Sequence, residues 1–239
     1  MPGRMRRWGM IAALVTWFAP AISSGQTCPE VPGATASLAD RSAAERYAFI
    51  ESTLDREARK GRIWNHAWGW GFLGVTIGQA GVGAWVSDEN CPECWYVGAA
   101  KSGLGLISTV LLKPVVVDRV EPIVEPTCDD LARAERLLIA AANSERVHWF
   151  RHVEGGLVNL AAVLYLGLEH DEWGKALLGA AIGTAVGEYR LYSRPDGAID
   201  ALRDYRAGSV GGRADAHTQW MLVPAVGDDG FGLSLIVGF

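Results

Sequence analysis

Cys91 and Cys94 stand in the sequence CPEC, a spacing at which two thiols either exchange electrons as a vicinal pair or staple a loop. A redox pair of this kind belongs beside a strand-helix-strand pattern. No such alternation flanks it here, so the spacing predicts a local disulfide. The other two cysteines, Cys28 and Cys128, hold equivalent places just ahead of two similar helical stretches and are expected to bond to each other. In the chain-entropy treatment, closing a loop of about a hundred residues stabilises a fold by about 4 kcal/mol.

Other chemistry is sparse. His66 and His152 occupy matching positions in the two stretches and could ligate a metal or haem across a pseudo-two-fold axis. A polar residue at the interfacial end of a helix is the plainer account and is preferred. Lys101 and Glu154 fall in apolar segments, where an ionisable group marks a site by default, although each is near enough to an end for its charge to reach water. Residues 69 to 74 spell GxGxxG, but no strand precedes them and no acidic ribose partner follows, so a dinucleotide site is excluded. No Ser-His-Asp set or carboxylate pair is recognisable from spacing. No catalytic, metal or cofactor residue is assigned, and no cofactor is implied.

The elements that would position these residues come as a pair. GAAKSGLGLISTVLLKP at 98–114 reappears without a gap as GAAIGTAVGEYRLYSRP at 179–195. Thr27-Cys28 recurs as Thr127-Cys128, Ala44-Glu45-Arg46 as Ala134-Glu135-Arg136, and His66 with Gly69 as His152 with Gly155, all in the same order. One ancestral doubling of a domain half accounts for this better than a repeat array, whose periods are shorter. The division expected is a leader over 1–25, a first helical-hairpin repeat over 26–120, a second over 121–206, and a Gly-rich linker with a β-hairpin over 207–239.

Along the chain, Arg4, Arg6 and Arg7 precede the apolar run WGMIAALVTWFAPAI and then Ser23, Ser24 and Gly25, the pattern of a secretory signal. Ser42-Ala43-Ala44-Glu45 offers a capping box, and Ala43 to Lys60 reads as an amphipathic surface or interfacial helix. Ile63 to Val86 carries no formal charge and is long enough for a hydrocarbon layer of about 30 Å, with tryptophans towards both ends. An acidic tip follows, then an apolar helix from Trp95 to Leu112 and a proline-rich extended linker. Asp129 to Arg146 repeats the amphipathic helix. Trp149 to Leu168 and Trp173 to Tyr192 repeat the hairpin, with apolar cores short of a comfortable span. Gly74 with Gly78, and Gly179, Gly183 and Gly187, lie four apart, a spacing that lets helices pack closely in an apolar medium.

The fold class expected is therefore mainly α: a duplicated amphipathic helix plus apolar helical hairpin, forming a four-helix membrane bundle, with a short C-terminal β-hairpin. That hairpin is signalled by β-forming runs around Gly227-Asp228-Asp229-Gly230. The last residues, FGLSLIVGF, resemble the closing strand of bacterial outer-membrane β-barrel proteins. The rest of the chain lacks the alternation of a barrel.

A chain of 239 residues with net charge -5 carries no basic stripe or zinc-ligand quartet, which argues against a nucleic-acid partner. The partners implied are a lipid bilayer and further copies of the chain or other envelope proteins. The hairpin tips are acidic (Asp88, Glu89, Glu93; Glu169, Asp171, Glu172) and the opposite ends basic. In an inner membrane the basic side should face the cytoplasm, yet an export signal leaves it outside. Insertion into the outer membrane of a Gram-negative envelope after export removes the conflict and is favoured over the inner membrane and over a periplasmic bundle.

Three functions follow. The first is a non-enzymatic, self-associating scaffold or accessory subunit of an outer-membrane assembly, and the second an oligomeric channel or transport component. The third rests on four helices, a CxxC after the first and a second cysteine pair, which resemble the quinone-linked thiol oxidases. That resemblance implies membrane thiol oxidoreductase activity. It fails on topology, because those enzymes keep both pairs on one face, whereas here Cys28 and Cys128 lie at the base and Cys91 and Cys94 at the tip.

Overall fold

A computed structural model of the protein describes residues 28–210 and the backbone of 219–238, apart from Glu30, 87–90, Lys113, Pro114, Val116, His148 and 228–229. The leader over 1–25, the acids Asp88 and Glu89, the linker over 211–218, the Asp228-Asp229 turn and the terminal Phe239 lie outside the described residues.

The chain is mainly helical. Its elements are α1 (Ala36–Ala39), α2 (Ala43–Trp85), α3 (Pro92–Ile107, continued by one π-helical stretch, Ser108–Leu112), α4 (Cys128–Glu145), α5 (Phe150–His170), α6 (Trp173–Tyr192) and α7 (Gly197–Arg206). The backbone of β1 (Gln219–Gly227) and β2 (Gly230–Gly238) pairs antiparallel, with Trp220 opposite Val237.

Helices α2 and α4 begin the same way. The Ser42 hydroxyl accepts the Glu45 N–H while the Glu45 carboxylate accepts the Ser42 N–H, and Thr127 and Asp130 make the same reciprocal pair. Both boxes satisfy orphan first-turn donors. Those hydrogen bonds hold the Glu45 and Asp130 carboxyls below their ordinary pKa values.

Two expectations about α2 need correction. The amphipathic helix ending at Lys60 and the apolar helix starting at Ile63 are one continuous helix of 43 residues. No proline interrupts 43–85, and Gly61 is kept inside the helix because Val115 lies where its side chain would be, 3.0 Å from an ideal Cβ. Nor is the first half an interfacial surface helix. Its Tyr47, Ile50 and Leu54 are buried against Leu131 and Leu138 of α4 and Ala198, Leu202 and Tyr205 of α7, making a closed core that we term the head. Helix α7, not anticipated from the sequence, completes this core.

Beyond the head, the second half of α2 packs on α3, and α5 packs on α6, with α3 touching both α5 and α6. Here too the sequence reading shifts. Among the described residues only Pro92–Leu112 is long and apolar enough to cross a membrane, because Asn65, His66, Gln79 and many glycines dilute the run 63–86. Of the glycines expected to pack helices, Gly183 does approach a neighbour closely, with Asn159 Oδ1 2.6 Å from its ideal Cβ. Gly179 and Gly187 face open space, and Gly74 and Gly78 are half-buried. The tight α2 to α3 approach falls instead at Gly105 against Phe72 and Gly98 against Gln79.

The segment after α3 is extended, as anticipated, and strapped along α2. Asn65 donates to the Val115 carbonyl and accepts its N–H, and Tyr47 donates to the Glu121 carbonyl. Cys28 and Cys128 are disulfide-bonded across 100 residues at the head, and Cys91 and Cys94 are bonded to each other beyond the far end of α2. The long closure should matter most. Replacing Cys28 and Cys128 by Ser is expected to cost about 4 kcal/mol in denaturant unfolding. The Cys91→Ser, Cys94→Ser pair should cost clearly less, and the reverse order would contradict this.

Candidate functional site

Three polar clusters interrupt the apolar packing, and they differ in how far their groups are satisfied. In the head, Arg46 Nη2 is 2.5 Å from Glu135 Oε1, Arg46 Nε donates to Tyr205 Oη at 2.9 Å, and Tyr205 donates to Glu135. The same guanidinium donates to the carbonyls of Cys28 and Pro29, tying the disulfide-bonded start of the head to its core. Burial pulls the Arg46 pKa down, but the hydrogen bonds to Tyr205 and Glu135 outweigh it and leave it raised. Burial and the hydrogen bond to Glu135 push the Tyr205 phenol up. A guanidinium, a carboxylate and a phenol that bond one another in this way form a structural lock.

The second cluster lies where the head meets the hairpins. Glu57 on α2 is fully buried, paired with Arg56 Nε at 3.0 Å and Lys60 Nζ at 3.2 Å. Its carboxylate occupies the space a side chain at Gly197 would need, 2.5 Å from an ideal Cβ. Glu145, at the end of α4, accepts the Ala198 N–H at 2.7 Å from the first turn of α7. Burial, then the nearby Glu57 charge, raises the Glu145 pKa to about 8. At neutral pH it is therefore mostly a neutral acid.

Arg194, next to this pair, donates to the Ser144 carbonyl at 2.7 Å and stacks on Trp64, with its Cζ 5.5 Å from the ring centroid. Arg190 lies over Trp64 at 5.7 Å and over Phe72 at 5.8 Å, and reaches Ser108 Oγ. The indole N–H groups of Trp64 and Trp68 both donate to Ser193 Oγ, which fixes Trp64 under these guanidinium groups and Trp68 beside it, against Phe72 and Tyr189.

The third cluster bridges the hairpins. Lys101 Nζ donates to the Gly179 carbonyl at 3.0 Å, Asn159 donates to Thr184 Oγ1, and Ser102 donates to Gln79 Oε1. Thus Lys101 does not extend to the end of its helix for water. It turns inward because Gly183 leaves room beside it, its Nζ being 2.9 Å from the ideal Cβ there. Glu154 is exposed one turn into α5, within electrostatic range of Arg190.

The two histidines are not brought together. His152 Nδ1 is 2.7 Å from Glu188 Oε2, with its ring against Tyr192, while His66 is exposed in an open groove with Arg62, Asn65, Asp118 and Arg119. Among the described residues, no group of three His, Cys, Asp or Glu could hold a metal ion.

Sequence reasoning missed Glu57, Glu145, Arg190 and Arg194, although a signal existed. Glu57 continues the buried row Ile50, Leu54, and Glu145 continues Leu138, Ala141. A carboxylate prolonging an apolar stripe at helical spacing is a buried charge. Comparison of the chain with protein-family models, with curated proteins and with solved structures found no match.

Two outcomes follow from these environments. Glu135→Ala should cost about 3–5 kcal/mol of head stability in denaturant unfolding, because it strands a buried Arg46. The Glu145 carboxyl, raised from 4.5 to about 8, binds its proton more tightly folded than unfolded. Its contribution is complete below the unfolded value and is lost as pH rises through the folded one. The melting temperature should fall from pH 4.5 towards 8, and Glu145→Gln should flatten that slope. An unchanged slope would contradict the assignment.

Proposed function

We propose that the protein is a non-enzymatic membrane component of a bacterial envelope, with its head in water and its paired hairpins in lipid, acting as a self-associating scaffold or accessory subunit. The observation that carries this reading is the division of the surface. The head encloses its apolar residues, whereas α5 and α6 present large ones outward: Leu157 is 61%, Leu168 69%, Leu178 62% and Ile182 57% exposed. Leu160, Leu164 and Leu177 join them. So large a patch of aliphatic side chains in water would drive aggregation, and lipid or another copy of the chain would cover it.

Other features support the same reading. The order of elements in the second half of the chain, helix α4 then hairpin α5 to α6, parallels α2 then α3 in the first, as one doubled unit would. Among the described residues, Gly155, Gly156, Gly179 and Gly187 meet no side chain within 4 Å, which leaves small-residue faces for a neighbouring copy. Insertion in the outer membrane, with the terminal strands contributing to an assembly, agrees with the export signal and the placement of basic residues.

The transport reading has one observation in its favour. Polar side chains of Lys101, Asn159, Thr184 and Gln79 converge between the hairpins, where such groups in membrane proteins line pathways. Conductance across planar bilayers tests it, with flat traces from every oligomeric fraction counting against a pore.

The membrane reading is tested by carbonate-washed membranes separated on a density gradient. The chain should stay in the pellet and follow outer-membrane markers. Leu178→Lys with Ile182→Lys should release it, since each lysine costs about 2.5–3.5 kcal/mol at a bilayer centre. Quantitative recovery of the unmodified chain in the wash would overturn the reading.

A further inference from the structure

We infer that Arg151, Arg190 and Arg194 form a binding site for a phosphate-type oxyanion at the junction of head and hairpins, of the kind carried by an anionic phospholipid headgroup. Three guanidinium groups meet there from different elements: Arg151 from the first turn of α5, Arg190 from the last turn of α6, and Arg194 from the loop beyond it. Arg194 is 6% exposed, yet its Nε and Nη1 have no hydrogen-bond partner. Arg151 Nε and Arg190 Nε are buried and unpartnered as well. Buried donors in native proteins are almost always satisfied, so a group of four such atoms on three cations calls for an acceptor.

The surrounding chemistry narrows what that acceptor is. Trp64 takes the faces of Arg190 and Arg194, and Phe72 shares Arg190. An aromatic ring in cation–π range accepts no in-plane N–H bond, so it leaves the unpartnered guanidinium N–H groups still in need of an acceptor. A tetrahedral oxyanion with several oxygens matches convergent forks of that kind better than a single carbonyl does.

Two of the nearby carboxylates are held by other groups, since His152 takes Glu188 and Lys60 and Arg56 take Glu57, while Glu154 acts on Arg190. Glu145, with its pKa near 8, holds its proton at neutral pH. Burial, then Arg151 and Arg190, lowers the Arg194 pKa to about 10 against a smaller opposing effect of Glu145, so the two neighbouring cations are felt at Arg194. The buried Trp64 and Trp68 rings lie beside the site, and Trp149 is exposed just ahead of Arg151, as a ring of an interfacial aromatic belt would be.

The test uses the full chain in an uncharged detergent. Unfolding temperature is recorded with sodium phosphate against sodium chloride at equal ionic strength, and with phosphatidylglycerol against diacylglycerol. A saturable rise of about 5 °C or more is expected from the phosphate-bearing partner. A rise with inorganic phosphate alone assigns a soluble oxyanion, and a rise with phosphatidylglycerol only assigns a headgroup. The lipid arm rests on the membrane reading, whereas the phosphate arm does not, so a chain found in the soluble fraction still tests the site.

Arg194→Gln should lose at least half of the rise. Arg151→Gln should do the same, and because Arg151 is only partly buried it serves if Arg194→Gln fails to fold. Equal curves for each phosphate and its control, or a full rise in either variant, would overturn the proposal.

Discussion

A straight helix of 43 residues is about 65 Å long, more than twice the thickness of a bilayer's hydrocarbon layer. The length of α2 therefore decides much else in the molecule. One rod runs from the closed head into the hairpins, and its side chains change accordingly. From Ala43 to Lys60 it alternates a buried apolar row with charges. From Ile63 onward it carries no charge, and its partners approach across glycine. The second half of the chain meets the same demand differently, by breaking between Glu145 and Phe150 so that α4 stays with the head while α5 and α6 form their own hairpin.

The distribution of polar groups follows from that division. Inside the head, Arg46, Glu135 and Tyr205 complete one another, so a buried charge is tolerated. At the junction the compensation is incomplete. Glu57 Oε2, Glu145 Oε1 and several arginine nitrogens lack partners, and burial raises the proton affinity of Glu145 and lowers that of Arg190 and Arg194. Apolar burial concentrates in the head, and most of the unpartnered buried polar atoms among the described residues collect where head and hairpins meet. A protein that holds a ligand at the edge of a bilayer would place its binding groups there.

Much of this was legible in the sequence where the signal is local. The capping residues Ser42 and Thr127 announce two helix starts, and Asp171, in the left-handed region at φ 56, marks a turn that the acidic run Glu169 to Glu172 had signalled. The pairing of Cys28 with Cys128 came from their equivalent positions. The fusion of two helices into α2 was not legible, because apolar periodicity cannot say whether consecutive helices join when no breaker separates them. Helix α7 had a readable period in Ala198, Ala201, Leu202 and Tyr205, obscured by its charged residues. The matched tripeptides Ala44-Glu45-Arg46 and Ala134-Glu135-Arg136 proved unequal in role. Glu45 closes an exposed cap, whereas Glu135 sits mid-helix, buried against Arg46 of the other copy.

The claim that α2 passes from water into an apolar medium can be measured directly, since all four native cysteines are in disulfides. Single cysteines placed at Arg59, Ile77 and Ile182, all with exposed side chains, would be exposed to a water-soluble maleimide in isolated membranes. Arg59→Cys should label rapidly, while Ile77→Cys and Ile182→Cys should stay unlabelled until the chain is denatured in detergent. Equal labelling of all three in intact membranes would contradict the account.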